Sequence, residues 1–158
     1  RAARSIDDSQ LSDFRVMQRE YWEGLHIALG DAAGPVSGDR TALPQSWMTY
    51  SLGKSGIVLG AVVQRPQSRI KAEVYFTGPS SLENFEYFST QREEIEKELG
   101  YELEWPDMDG RRDRRILTDL AIANFEDRND WKRQHIWLAT KLNELHHVFS
   151  PRVTHLRR

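Results

Sequence analysis

From Phe14 onward, apolar side chains fall at Phe14, Met17, Tyr21, Leu25 and Ala28. That is the spacing of one helix face, with Ser12 or Asp13 available as the cap and Gly30 as the stop. The rhythm changes after residues 31 to 46, a turn-rich stretch holding Gly34-Pro35, Gly38 and Pro44. Trp47 to Leu52, Ile57 to Gln64 and Arg69 to Thr77 then read as three strands, joined by Gly53-Lys54-Ser55-Gly56 and by Arg65-Pro66-Gln67-Ser68. In the third, Ile70, Ala72, Val74 and Phe76 alternate with Arg69, Lys71, Glu73 and Tyr75. Alternation of this kind predicts one packed face and one wet face that carries the charges.

Ser80 followed by Glu83 predicts a capping box. The stripe Leu82, Phe85, Phe88, Ile95 and Leu99 predicts one helix ending at Gly100. Tyr101 to Trp105 and Arg114 to Leu120 read as two short strands around the turn Pro106-Asp107-Met108-Asp109-Gly110. Finally, Asp130 caps a long helix in which Trp131, His135, Leu138, Leu142, Leu145 and Phe149 recur until Pro151. The predicted class is α+β: a single domain over residues 12–158 in the order α-β-β-β-α-β-β-α, a mainly antiparallel sheet packed by helices, behind a polar linker or tail at 1–11. No repeat or low-complexity segment interrupts it.

A chain of 158 residues fits one domain. At this size roughly 70% of the unfolded surface is buried on folding, enough for a core without staples. The chain has no cysteine, which excludes disulfides, thiolate zinc sites and a cysteine nucleophile and agrees with a reducing cytoplasm, the expected location. No apolar run approaches the length that crosses a bilayer, and no signal peptide opens the chain, so a soluble protein is expected. A start at Arg1 rather than Met, followed by Ala2-Ala3-Arg4-Ser5, reads as linker and hence as a piece of something longer.

The net charge of −2 conceals an uneven distribution. Eight Glu lie between Leu82 and Glu104, against Arg92 and Lys97. Lys54, Arg65, Arg69, Lys71, Arg111, Arg112, Arg114 and Arg115 instead sit on or beside predicted strands. They are the candidate phosphate contacts, and Trp47 and Tyr50 near Lys54 are candidates for stacking on bases. Set against these are the plainer readings of solvated surface charge and aromatic core packing.

Other motifs dissolve on inspection. Gly53-Lys54-Ser55 echoes a phosphate loop, but Met48 stands where the first glycine belongs and strand follows where a helix should. Asp107-Met108-Asp109-Gly110 opens like a calcium loop, but its twelfth position is Thr118 rather than a bidentate carboxylate. Pro106-Asp107 with Asp130-Trp131-Lys132 imitates a metal-dependent nuclease pattern, yet Asp130 belongs to a helix cap rather than a strand beside Asp107. His135 lies on the apolar stripe of the last helix and is expected to pack against the sheet. His146 and His147 are adjacent and cannot face one metal together, while His26 and His155 show no partner. No metal, cofactor or catalytic constellation is therefore expected.

Several blocks together carry a resemblance. They are Gln45-Ser46-Trp47, Tyr50-Ser51-Leu52-Gly53-Lys54-Ser55-Gly56, Arg69-Ile70-Lys71-Ala72-Glu73-Val74-Tyr75-Phe76, Glu93-Glu94-Ile95-Glu96-Lys97-Glu98-Leu99-Gly100, Glu102-Leu103-Glu104-Trp105, Arg114-Arg115-Ile116 and Val148-Phe149-Ser150-Pro151-Arg152. As an ordered set, from about Phe14 to Pro151, they resemble the bacterial and archaeal family called domain of unknown function 4268. In that family the domain commonly lies C-terminal to a restriction-endonuclease-like domain of the Pro-Asp…(Asp/Glu)-x-Lys class. The resemblance implies a non-catalytic accessory module of a DNA-processing or defence protein, with DNA and an N-terminal nuclease domain as partners. The rival expectation is a protein-interaction or dimerisation module, a homodimer included, that positions the nuclease.

Overall fold

The computed structural model describes residues 2–64, 68–107 and 110–156, with residues 2–11 as backbone only. Helix α1 (Ala2–Ala32) leads into strands β1 (Trp47–Lys54), β2 (Ile57–Gln64) and β3 (Arg69–Phe76). Helices α2 (Ser81–Ser89) and α3 (Arg92–Leu99) follow, then β4 (Arg114–Leu120), a short 3-10 turn (Arg128–Asp130) and α4 (Trp131–His155). The four strands form one antiparallel meander in the order β1-β2-β3-β4. The α+β class and the antiparallel sheet expected from the hydrophobic pattern are what the chain adopts.

The two faces of the sheet differ in what they meet. Cross-strand partners share a face, so the register puts Met48, Tyr50, Leu59, Ala61, Ala72, Val74 and Ile116 together on one side. All of these are buried. Helix α4 packs over β1, β2 and β3 on this side, and α1 packs on α4. Phe88 of α2 meets Phe76 and Phe149 in the same core. The opposite face carries Trp47, Thr49, Gly60, Val62, Lys71, Glu73, Tyr75, Arg115 and Leu117, and the concavity on it is lined by strand residues and Ser46 rather than by helix.

Five local expectations are corrected. Helix α1 starts at Ala2, so Ser12 and Asp13 lie inside it instead of capping it. The long acidic helix breaks into α2 and α3 at Thr90-Gln91. Ser80 makes no side-chain cap bond; the Ser81 hydroxyl donates instead to the Arg112 carbonyl, tying α2 to the start of β4. Tyr101 to Trp105 is not a ladder strand, because Glu96 captures it: its carboxylate accepts from Leu103 N (2.7 Å) and Trp105 Nε1 (3.0 Å), leaving only a bridge between Glu104 and Leu117. Helix α4 also runs through Pro151 to His155. Its last turn is held by buried Val153 and by Arg152, which donates to the Val148 carbonyl, Gln91 and Glu98.

Expectations that fall on Arg65-Pro66-Gln67 and Met108-Asp109 lie outside the described residues.

Candidate nucleic-acid interface

Along β3 the expected alternation holds. Ile70, Ala72 and Val74 are wholly buried on the helix side, and Arg69, Lys71, Glu73 and Tyr75 take the other face. The strands then set side chains in rows. Trp47, Val62, Lys71 and Asp119 form one row, Thr49, Gly60, Glu73 and Leu117 the next, and Ser51, Val58, Tyr75 and Arg115 the third. Trp47, 49% exposed at the start of β1, stands at one corner. A concavity of about 370 Å³ opens between Trp47 and the Tyr75–Arg115 pair, over Gly60 and Glu73.

Glu73 departs from the wet-face expectation, being only 4% exposed. Gly60 makes room for it: a Cβ there would come 3.0 Å from Glu73 Cγ and 3.1 Å from Oε2. Burial pushes the Glu73 carboxyl above its ordinary range, and the charges of Arg115 and Lys71 pull it back only in part. The nearest cation, Arg115 Nε, is 3.8 Å from Oε2, too far for a hydrogen bond, and this buried N–H has no hydrogen-bond partner among the described residues. The guanidinium instead lies over the Tyr75 ring at 4.4 Å, while the Tyr75 hydroxyl donates to Asp113 (2.7 Å). Lys71 has no ion-pair partner among the described residues. Burial, with the neighbouring Arg69 charge, lowers its pKa.

The predicted basic surface is only partly assembled. Arg69 is committed to Asp119 (2.6 Å) and reaches Glu104 at 3.5 Å, so its charge is locally neutralised. Arg114 turns to the helix side, 8% exposed, and donates to the carbonyls of Arg111 and Asp113. Arg111 and Arg112 are exposed in the loop before β4. Lys54 is half-buried at the end of β1, about 23 Å along the strand from Trp47 at ~3.3 Å per residue. Arg65 lies outside the described residues.

Tyr50 is not a stacking platform. It is 3% exposed on the helix side, its hydroxyl 2.9 Å from His26 Nε2. The reason is parity: Trp47 and Tyr50 are three apart, so alternation sends them to opposite faces. Tyr75, on the wet face by alternation, was not among the candidate binding residues, and Glu73 was not expected to be buried. Tyr75 was legible in the alternation of β3. Glu73 was not, because its burial depends on Gly60 across the ladder.

His135 is 6% exposed but packs against α1 rather than the sheet, with its ring 4.5 Å from that of Tyr21. Among the described residues no three His, Asp or Glu side chains converge as a metal site. Nor is any described helix long and apolar enough to cross a membrane.

Fold and face together define a helix-backed antiparallel meander with one open, aromatic and charged surface. Residues 17–153 match the family described as Domain of unknown function (DUF4268), and the chain belongs to it. No curated protein and no solved structure matches the chain.

Proposed function

We propose that this domain is a non-catalytic module that holds single-stranded nucleic acid on the open face of its sheet, in the service of a restriction-like nuclease of a DNA-processing or defence system. One observation carries the binding reading: Trp47, Tyr75, Lys71 and Arg115 share one sheet face, and among the described residues no helix lines the concavity on it. Bases stack on aromatic rings and on arginine planes, and cations follow the backbone. The nuclease association rests on the family resemblance alone and is an argument by analogy.

Charge pairing favours single strands over duplex. With Arg69 held by Asp119 and Glu73 buried nearby, few cations are free to neutralise phosphates, so contacts to the rings and edges of unpaired bases supply most of the affinity. Binding of labelled ten-residue oligothymidine and of a duplex of equal length, by fluorescence anisotropy from 50 to 200 mM salt, tests this. The single strand binds with a shallow salt slope, about 0.7 per phosphate neutralised, and the duplex binds more weakly. Absence of binding to both at low salt rejects the reading.

A second reading has its own observation. Between α1 and α4 an apolar groove of about 640 Å³ leaves Ile27 and Ile136 67% and 54% exposed. Such a stripe suits a protein partner. If oligonucleotides fail to bind while the domain self-associates, the interaction module is the better account.

A further inference from the structure

The concavity over Gly60 holds two polar groups for which no described residue supplies a hydrogen-bond partner. Glu73 has no hydrogen-bond donor among the described residues and only Arg115 Nε at 3.8 Å, and that Nε–H is itself without an acceptor. A buried donor such as this Nε–H is costly to leave unpaired. The carboxylate and the guanidinium line a space whose walls include Trp47 and Tyr75, the Glu73 side chain lying in the room that Gly60 leaves. A flat ligand entering between the aromatic walls meets the Glu73 carboxylate next to the Arg115 guanidinium.

We propose that this pocket selects guanine, the Glu73 carboxylate accepting from N1–H and the N2 amino group while the Arg115 guanidinium donates to O6. Guanine is the natural base whose Watson–Crick edge presents two adjacent donor groups and then an acceptor. Adenine and cytosine each present one donor group beside a ring-nitrogen acceptor, so one carboxylate oxygen faces a lone pair. Thymine and uracil flank their single N–H with carbonyls, which a carboxylate repels. An ionised Glu73 is what the guanine edge binds, and two donated hydrogen bonds favour that form. Trp47 or Tyr75 supplies the stacking surface. The assignment rests on the single-strand reading above and sharpens it from binding to base choice.

The experiment uses the whole chain and labelled seven-residue oligothymidines carrying one central guanine, inosine, adenine or cytosine, with the unsubstituted heptamer as reference. The guanine heptamer is expected to bind about tenfold tighter than the reference, the gain expected of one well-made bidentate contact. Inosine lacks the N2 amino group and recovers only part of that gain. Glu73→Gln removes the preference for guanine over the reference heptamer. Arg115→Lys, which keeps the charge but loses the planar guanidinium, weakens guanine selectively. Thermal unfolding of each variant confirms that it folds.

Equal binding of all heptamers to the native chain, or a preference for adenine or cytosine, overturns the guanine assignment and leaves the single-strand reading standing. Failure of every heptamer to bind removes both.

Discussion

Gly24 of α1 and His135 of α4 are packed so closely that a Cβ built on Gly24 would lie 2.4 Å from His135 Cε1. The imidazole cannot retreat easily, since Tyr21 lies 4.5 Å and Trp131 5.8 Å from it, centroid to centroid. A mid-helix glycine ordinarily costs about 1 kcal/mol relative to alanine, so the site gives up helix propensity to let α1 and α4 approach. Gly24→Ala is expected to lower stability by about 1–2 kcal/mol in urea unfolding, overpacking outweighing propensity. In a His135→Ala background the obstruction is gone, and the same change becomes neutral or stabilising. A Gly24→Ala protein as stable as the native one would refute the contact.

His135 also makes stability depend on pH. Burial lowers its pKa from the ordinary 6.5 to about 4, against a smaller opposing pull from the Tyr21 backbone; His26 and its charge act in the lowering direction. The unfolded chain therefore binds a proton at pH 5 that the folded chain does not. Stability is fully present above pH 6.5 and is lost as pH falls toward 4, by up to about 3 kcal/mol from this residue. His135→Gln should flatten that part of the curve. An unchanged slope between pH 6.5 and 4 would show that the ring is not held neutral.

Most of the architecture was written in short-range patterns. Period-two alternation placed β3 in register and assigned Ile70, Ala72 and Val74 to the core, because side-chain direction along a strand is fixed by geometry alone. Gly100, with φ of 87°, ends α3 as the sequence implied. What failed was decided across the fold. Glu96 sequesters Leu103 and Trp105 from a strand, Arg152 carries α4 past a proline, and Asp119 occupies Arg69; each partner is remote in sequence or set by packing. The candidate site was legible to the same extent. Lys71 and Arg115 share a face by parity, whereas Tyr50, three residues from Trp47, and Arg114, next to Arg115, take the helix side by the same alternation.

Tyr50 separates structural from binding roles. Its hydroxyl pairs with His26 Nε2 at 2.9 Å inside the core, and burial pushes its pKa upward. Tyr50→Phe removes one buried partner without a cavity and is expected to cost about 1 kcal/mol of stability. Oligonucleotide affinity stays unchanged, since the ring faces away from the open sheet surface. A loss of binding with full stability would return Tyr50 to the interface.

Trp47 and Lys71 are neighbours across β1, β2 and β3 on the open face, joined through Val62 in one row, and they predict different signatures. Trp47 is half exposed and makes little of the core, so Trp47→Ala should leave unfolding within about 0.5 kcal/mol of native. If a base stacks on it, single-strand affinity falls by about 1–3 kcal/mol with the salt slope unchanged, because stacking releases no counterions. Lys71→Gln removes a cation instead: the slope of log affinity on log salt should drop by about 0.7, equally for every oligonucleotide sequence. Combining the two changes tests whether ring and cation grip neighbouring nucleotides. Additive losses mean independent contacts on one strand, and a double variant no weaker than Trp47→Ala means that Lys71 acts only once a base is stacked. If neither variant alters binding while the native domain still binds, the open face is not the surface that nucleic acid uses.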